Sequence, residues 1–185
     1  MTDGARAMTY ADYLAYEAEA EGKHEYVNGM VVAMAGGSRE HARLAMRLAL
    51  RLGLLAEAQG CIVLSSDGRI RIEATGRSTY PDLSVVCGGP EPATDDPEAT
   101  TNPVVLVEVL SETTEREDRG SKWAHYQRLP ALRGYLLVSQ SEPRLELFFR
   151  DDEAGAWVYR QAGPGGRLDL PALDGALDVD DIYRR

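Results

Sequence analysis

The alternation of apolar and polar positions changes period several times along the chain, and each change marks an element. Thr9 followed by "YADYLAYEAEAEG" predicts a capped helix: Thr9 can accept from the first free backbone donors, Asp12 stands three residues on, and Gly22 can end it. In "KHEYVNGMVVAMAGG", Asn28-Gly29 separates two apolar runs, the signature of a tight hairpin. Strands are therefore predicted near His24–Val27 and Met30–Ala35, the first carrying Glu25. From Ser38 to about Gln59, leucines at 44, 48, 52 and 55 with alanines between them give the spacing of a long amphipathic helix closed by Gly60.

Beyond Gly60 the period shortens to two. "CIVLSS", "GRIRIEA" and "PDLSVVCG" predict short strands from Cys61 through Gly88, and "GGPEPATDDPEATTNP" predicts a surface loop. "VVLVEVL" has the composition of an interior strand; "GYLLVSQ", "RLELFFR" and "AWVYRQA" predict three more, so the C-terminal third is expected to be antiparallel. The length of 185 residues suits a single α/β domain spanning residues 1–185.

Composition narrows the class. Hydrophobic content of 44% with 27% charged residues is that of a soluble globular protein. No apolar run is long enough to cross a bilayer, and "MTDGARAMTY" lacks the layout of a secretion signal, so no membrane association and a cytoplasmic location are expected. Cys61 and Cys87 lie in aliphatic surroundings and are expected to be two small buried thiols rather than a disulfide or a zinc site. The formal charge of −10 argues against nonspecific coating of nucleic acid, but it allows a site where positive charge is local or supplied by a metal. Arg39, Arg43, Arg47 and Arg51 recur every fourth residue, as either a solvated helix face or a nucleic-acid contact.

Candidate chemistry begins with carboxylates in apolar strands. Asp82 follows Pro81 at the mouth of one strand, and Glu108 sits inside "VVLVEVL". An ionised acid there needs a partner. A divalent cation held by Asp82, Glu108 and the carbonyl of Val109 would satisfy both acids, and hard oxygen ligands suit Mg²⁺ or Mn²⁺. The competing account has Asp82 capping a turn and Glu108 paired with Arg69 or Arg71. Asp118, Lys122 and Tyr126 are spaced by four and would share one helical face. Either Asp118 and Lys122 form a surface ion pair with Tyr126 packed on the sheet, or Lys122 points back to the Glu108 strand, where its ammonium could hold an attacking water or stabilise charge on a phosphate. His41, on the first turn of the long helix, would by itself be an exposed or hydrogen-bonded histidine.

Taken in order, "HEYVNGMVVAMAGGSREHARLAMRLALRL", "PDLSVV" and "LVEVLSETTEREDRGSKWAHY" resemble the Uma family of restriction-endonuclease-like proteins, a branch of the PD-(D/E)XK nuclease superfamily. The resemblance runs from about Tyr10 to Leu147. It implies a central mixed β-sheet flanked by helices, with additional antiparallel strands toward the C-terminus, and Asp82 and Glu108 as metal ligands. The superfamily pattern places a lysine two residues after the glutamate, where this chain has Leu110; Lys122 occupies the family's alternative place on the following helix. Glu25 and His41 match site-proximal family positions: Glu25 would orient a metal-bound water, and His41 would contact a phosphate or transfer a proton. The implied function is an Mg²⁺- or Mn²⁺-dependent endonuclease hydrolysing DNA phosphodiester bonds, with a homodimer suggested by analogy to enzymes that cut both strands. The alternative is a catalytically silent nuclease-like domain binding a protein or nucleic-acid partner. A metal-free acid pair acting on a glycoside fits poorly with 7% aromatic residues.

Overall fold

The structure, a computed structural model, describes residues 7–34 and 36–184. The opening stretch 1–6 and Ala35, the expected end of the second hairpin strand, lie outside the described residues.

Local signals become the expected elements. Helix α1 (Tyr10–Glu19) starts on Thr9, whose side chain accepts from the Asp12 amide while the Asp12 side chain reaches back, a complete capping box. Asn28 (φ 51°) and Gly29 (φ 85°) take the left-handed backbone of a tight turn and join β1 (His24–Val27) to β2 (Met30–Ala33). Helix α2 (Arg39–Ala58) is capped by Ser38 and turns Leu44, Leu48, Leu52 and Ala56 into the core. Each of those leucines, fully buried, contributes roughly 1.5–3 kcal/mol.

Two six-stranded sheets organise the rest. The first, in order β2-β1-β5-β4-β8-β7, adds β4 (Ile70–Ile72), β5 (Arg77–Thr79), β7 (Pro92–Ala93) and β8 (Asp96–Thr100). The second runs β12-β11-β10-β9-β6-β3, from β3 (Cys61–Ser65), β6 (Leu83–Cys87), β9 (Pro103–Leu110), β10 (Gly134–Ser139), β11 (Leu145–Asp151) and β12 (Ala156–Ala162). It is mixed: β9 and β10 are parallel, whereas β3, β6, β11 and β12 pair antiparallel with their neighbours. The C-terminal third ends in a small hairpin of β13 (Arg167–Leu170) and β14 (Gly175–Asp178), followed by α5 (Val179–Tyr183). One core lies between α2 with this C-terminal unit and one face of the second sheet, through Val105, Val107 and Val109. On the opposite face, Leu106 and Leu110 pack with Ile70 and Ile72 of the first sheet and with Tyr126 and Tyr135. This α+β architecture, two large mixed sheets with helices on their flanks, is that of the expected fold class, with the first sheet larger than a single central sheet would have it.

Two expectations are corrected. Residues 88–103 do not form a plain surface loop: they carry β7 and β8, because Asp95 and Asp96 bind Arg71 and Arg69 and the Thr100 amide bonds the Arg69 carbonyl. Cys61 and Cys87 are not free thiols but a disulfide, since antiparallel pairing of β3 with β6 sets them directly opposite each other. Among the described residues, no helix is long and apolar enough to cross a membrane.

Candidate active site

Strand β9 is the centre of the second sheet, hydrogen-bonded on both sides, so its even and odd residues face different cores. Val107 and Val109 face α2; Glu108 therefore faces the other way, toward the first sheet. Leu83 of β6 pairs with Val107, which brings Asp82 alongside Glu108 on that same face. The Val109 amide donates to Asp82 Oδ2 at 2.7 Å and fixes the aspartate there.

Lys122 reaches this point from the helical segment after β9. That segment runs α3 (Glu115–Glu117), one π-helical turn (Asp118–Lys122) and α4 (Trp123–Tyr126). The widened turn frees backbone for other bonds, and the Tyr135 hydroxyl donates to the Asp118 carbonyl at 3.0 Å. Lys122 Nζ lies 3.1 Å from Glu108 Oε1, 3.1 Å from Asp118 Oδ1 and 3.5 Å from Glu25 Oε1. The Asp118 contact is an ion pair without hydrogen-bond alignment, which leaves Oδ1 buried and unbonded. Tyr126, one turn on, donates to Glu108 Oε1 at 2.8 Å. Asp118 and Lys122 are thus a buried pair, not a surface one, and Glu108 pairs with neither Arg69 nor Arg71.

Glu25 enters from β1 of the facing sheet. Its Oε2 accepts from Arg77 at 2.7 Å, and its Oε1 accepts from the Thr79 hydroxyl. Arg77, 1% exposed, also holds Glu117 and Ser121 at the start of the helical segment. His41 comes from the other side of the sheet: the first turn of α2 overhangs the strand ends, and Nε2 sits 3.1 Å from Asp82 Oδ2. Ser38 donates to Gln140, whose amide donates to the Leu110 carbonyl, so the α2 N-terminus is tied to the end of β9.

Charge is unbalanced here. Burial pushes Glu108 up to about 8; Lys122 opposes this, while Asp118 and Asp82 add to it. Asp118 is likewise raised by burial. Burial alone would lower Lys122, but Glu108, Glu25 and Asp118 outweigh it and hold the ammonium well above the ordinary lysine range. Burial would raise Glu25, yet Lys122 and Arg77 bring it below the usual carboxylate range. The hydrogen bond to Asp82 raises His41 despite its partial burial.

Comparison with known proteins decides the family. The Uma2 family model, described as "Putative restriction endonuclease", matches residues 10–180. This chain belongs to the Uma2 family. It is 35% identical over 173 residues to "Uncharacterized protein slr1290" of Synechocystis sp. (strain ATCC 27184 / PCC 6803 / Kazusa), covering 94% of this chain and 90% of that protein. It is 33% identical over 141 residues to "Uncharacterized protein sll1609" of the same organism, covering 76% and 80%. A crystal structure described as "a putative nuclease belonging to DUF820" from Anabaena variabilis ATCC 29413 superposes with a TM-score of 0.76 at 14% identity, covering 95% of this chain and 97% of the other, which shows a shared fold.

For this Uma2 chain the donor set can be tested against a divalent cation. Asp82 and Glu108 face the same side of adjacent strands, each with one oxygen held: Oδ2 by Val109 and His41, Oε1 by Lys122 and Tyr126. Among the described residues no hydrogen bond is made to Asp82 Oδ1 or Glu108 Oε2. Two pinned acids, each with an unclaimed hard oxygen, fit Mg²⁺ or Mn²⁺. Among the described residues no ready-made set of three or more His, Cys, Asp or Glu ligands is present, so a bound cation would need backbone, water or substrate for its remaining positions. The structure brings Asp82, Glu108, Val109, Lys122, Glu25 and His41 into one neighbourhood. Sequence reasoning missed Arg77, Thr79, Tyr135 and Gln140, which touch it only through the pairing of distant segments. The arginine stripe is partly structural: Arg43 binds Glu40 and the Ile182 and Arg184 carbonyls, and Arg51 binds Asp181.

Proposed function

We propose that this chain is a divalent-metal-dependent endonuclease hydrolysing DNA phosphodiester bonds, acting as one domain in the cytoplasm. The observation that carries the reading is the convergence of Asp82 and Glu108 on one side of adjacent strands, with the Lys122 ammonium delivered to Glu108 from the following helical segment. The family description supports a nucleic-acid substrate.

Asp82, Glu108 and the Val109 carbonyl would hold Mg²⁺ or Mn²⁺, which when bound supplies Lewis acidity at a phosphate oxygen and acidifies a water. Lys122 stays protonated at neutral pH, so it serves by hydrogen bonding and charge rather than as a base: it positions the attacking water or offsets charge gathering on the phosphate. As the water oxygen bonds to phosphorus it gives up a proton to solvent or a nonbridging phosphate oxygen, the ester bond opposite breaks, and the departing oxygen takes a proton. His41, biased toward imidazolium by Asp82, is placed to donate to a phosphate oxygen or that leaving oxygen. Glu25, with both oxygens engaged, acts through Lys122.

A silent, partner-binding domain is the second reading, favoured by one feature: the motif position after Glu108 is Leu110, buried in the core, and Lys122 is already ion-paired with three acids. Cleavage of supercoiled plasmid with Mg²⁺ or Mn²⁺ separates the two. Asp82→Ala, Glu108→Ala and Lys122→Ala are each expected to lose on the order of a thousandfold in rate. Mn²⁺ should also raise the melting temperature of the parent but not of Asp82→Ala. Full activity in Glu108→Ala rejects this site; a parent that binds Mn²⁺ and never cuts selects the silent domain.

A further inference from the structure

The side of α2 turned away from the core carries Met46, Leu50 and Leu54, which are 71%, 54% and 57% exposed. They are four residues apart, so they form one apolar ridge, opposite the buried row of Leu44, Leu48 and Leu52. Isolated exposed apolar side chains are ordinary; three in register along a helix of an acidic protein make a contiguous apolar surface of the kind that marks an interaction site. Gly53 lies on the same side. A Cβ there would meet nothing within 4 Å, so packing within this chain does not call for the glycine, although glycine weakens a helix interior.

The charges beside the ridge say what covers it. Arg47 precedes its centre and Glu57 follows it; among the described residues neither forms an ion pair, whereas the neighbouring Arg43 and Arg51 pair with Glu40 and Asp181. In a two-fold antiparallel pair of α2 helices centred on Leu50, Leu50 meets Leu50, Met46 meets Leu54, and Arg47 meets Gly53 of the other copy. Helical side chains lean toward their own N-terminus. In this antiparallel arrangement Arg47 therefore leans over the opposing Gly53 toward the opposing Glu57, and that Glu57 leans back toward Arg47. The glycine leaves room for the arginine, and the bridge occurs twice by symmetry.

We infer that the exposed face of α2 is a self-association surface, pairing two copies of this chain across a two-fold axis at Leu50. A single helix pair buries less than a standard protein interface, so the dimer is of micromolar strength. The inference does not rest on the nuclease reading: His41 lies nine residues from the axis, which leaves the two candidate sites about 27 Å apart along the helices, each made by one chain.

Sedimentation velocity from about 5 to about 500 µM tests it, a range that brackets micromolar association. The parent should pass from monomer to dimer. Leu50→Glu, which places two like charges on the axis, should weaken association about a hundredfold or more. Arg47→Glu and Glu57→Arg should each weaken it about fivefold, and the double variant should return to the parent value. All three positions lie on the solvent side of α2, and unchanged circular dichroism will show the variants folded. A parent that stays monomeric throughout overturns the inference and leaves the ridge to another occupant. A dimer indifferent to Leu50→Glu, or a charge swap that fails to recover, overturns it equally.

Discussion

Two charge clusters reach into the interior between the sheets, and they differ in how their charges balance. In the first sheet Arg69 forks onto Asp96 at 2.7 and 3.0 Å, and Arg71 forks onto Asp95 at 3.1 and 2.7 Å. Tyr10 adds a hydrogen bond to Asp96, and its ring lies 3.5 Å from the Arg71 guanidinium. Cation matches anion, and Asp96 is held below the usual carboxylate range because Arg69 and Tyr10 outweigh its burial. At the strand ends Asp82, Glu108, Asp118 and Glu25 face Lys122 and Arg77, with His41 at the margin. There the anions are in excess, and Glu108 and Asp118 are raised. A balanced cluster is complete in itself; an unbalanced one leaves negative charge that a bound cation would offset.

The strongest break in that comparison is mutational. Asp96→Asn leaves the partly buried Arg69 without its counter-charge and should cost about 3 kcal/mol in urea unfolding, the low end for breaking a buried pair. Glu108→Gln removes surplus negative charge, keeps an acceptor for Tyr126, and leaves Lys122 paired with Glu25 and Asp118. Its stability at pH 8 should match or exceed the parent's. Equal losses in both variants would make the two clusters alike.

A smaller effect lies in the pH profile, where the two clusters have opposite sign. Glu108 binds its proton more tightly folded than unfolded, so its contribution is whole at acidic pH and is lost as pH rises from the ordinary carboxylate range through about 8. Asp96 binds its proton less tightly folded, so its contribution is present at neutral pH and disappears as pH falls through the acidic range below the ordinary carboxylate value. Glu108→Gln should therefore flatten the alkaline limb of stability against pH, and Asp96→Asn the acid limb. If Mg²⁺ binds Glu108 as proposed, saturating Mg²⁺ should stabilise the parent more at pH 8 than at pH 6, because metal and proton would compete for that carboxylate. A profile unchanged in both variants would remove the charge argument from both clusters.

How far these clusters were legible in sequence depends on the range of the interactions that build them. Asn28-Gly29, the Thr9 and Ser38 caps and the leucines of α2 act within a few residues, and each produced its element. Asp82 and Glu108 stood out because a charge in an apolar strand is locally anomalous, and Lys122 because its spacing from Asp118 and Tyr126 is helical. The balanced cluster gave no such cue. Its acids sit in a Pro- and Thr-rich stretch that has the composition of a loop, and β8 is held by antiparallel pairing with β7, a single rung with β4 that sets Ile70 opposite Thr100, and the Arg69 and Arg71 bonds. Arg77 is equally silent, since its partners Glu25 and Glu117 are 52 and 40 residues away. The Cys61–Cys87 bond likewise depends on strand register, which one sequence does not specify.

The finest test compares two tyrosine hydroxyls, each donating to a buried acid: Tyr126 to Glu108 at 2.8 Å and Tyr10 to Asp96 at 2.7 Å. A hydrogen bond to an ionised acceptor is worth about 1 kcal/mol more than one to a neutral acceptor. Asp96 is ionised throughout the neutral range, so the cost of Tyr10→Phe should be the same at pH 6 and pH 9. Glu108 changes charge between those values, so Tyr126→Phe should cost about 1 kcal/mol more at pH 9 than at pH 6. Urea midpoints of the two variants at the two pH values decide it. A pH-independent cost for Tyr126→Phe would mean that Glu108 holds one protonation state across the interval and adds nothing to the pH dependence there.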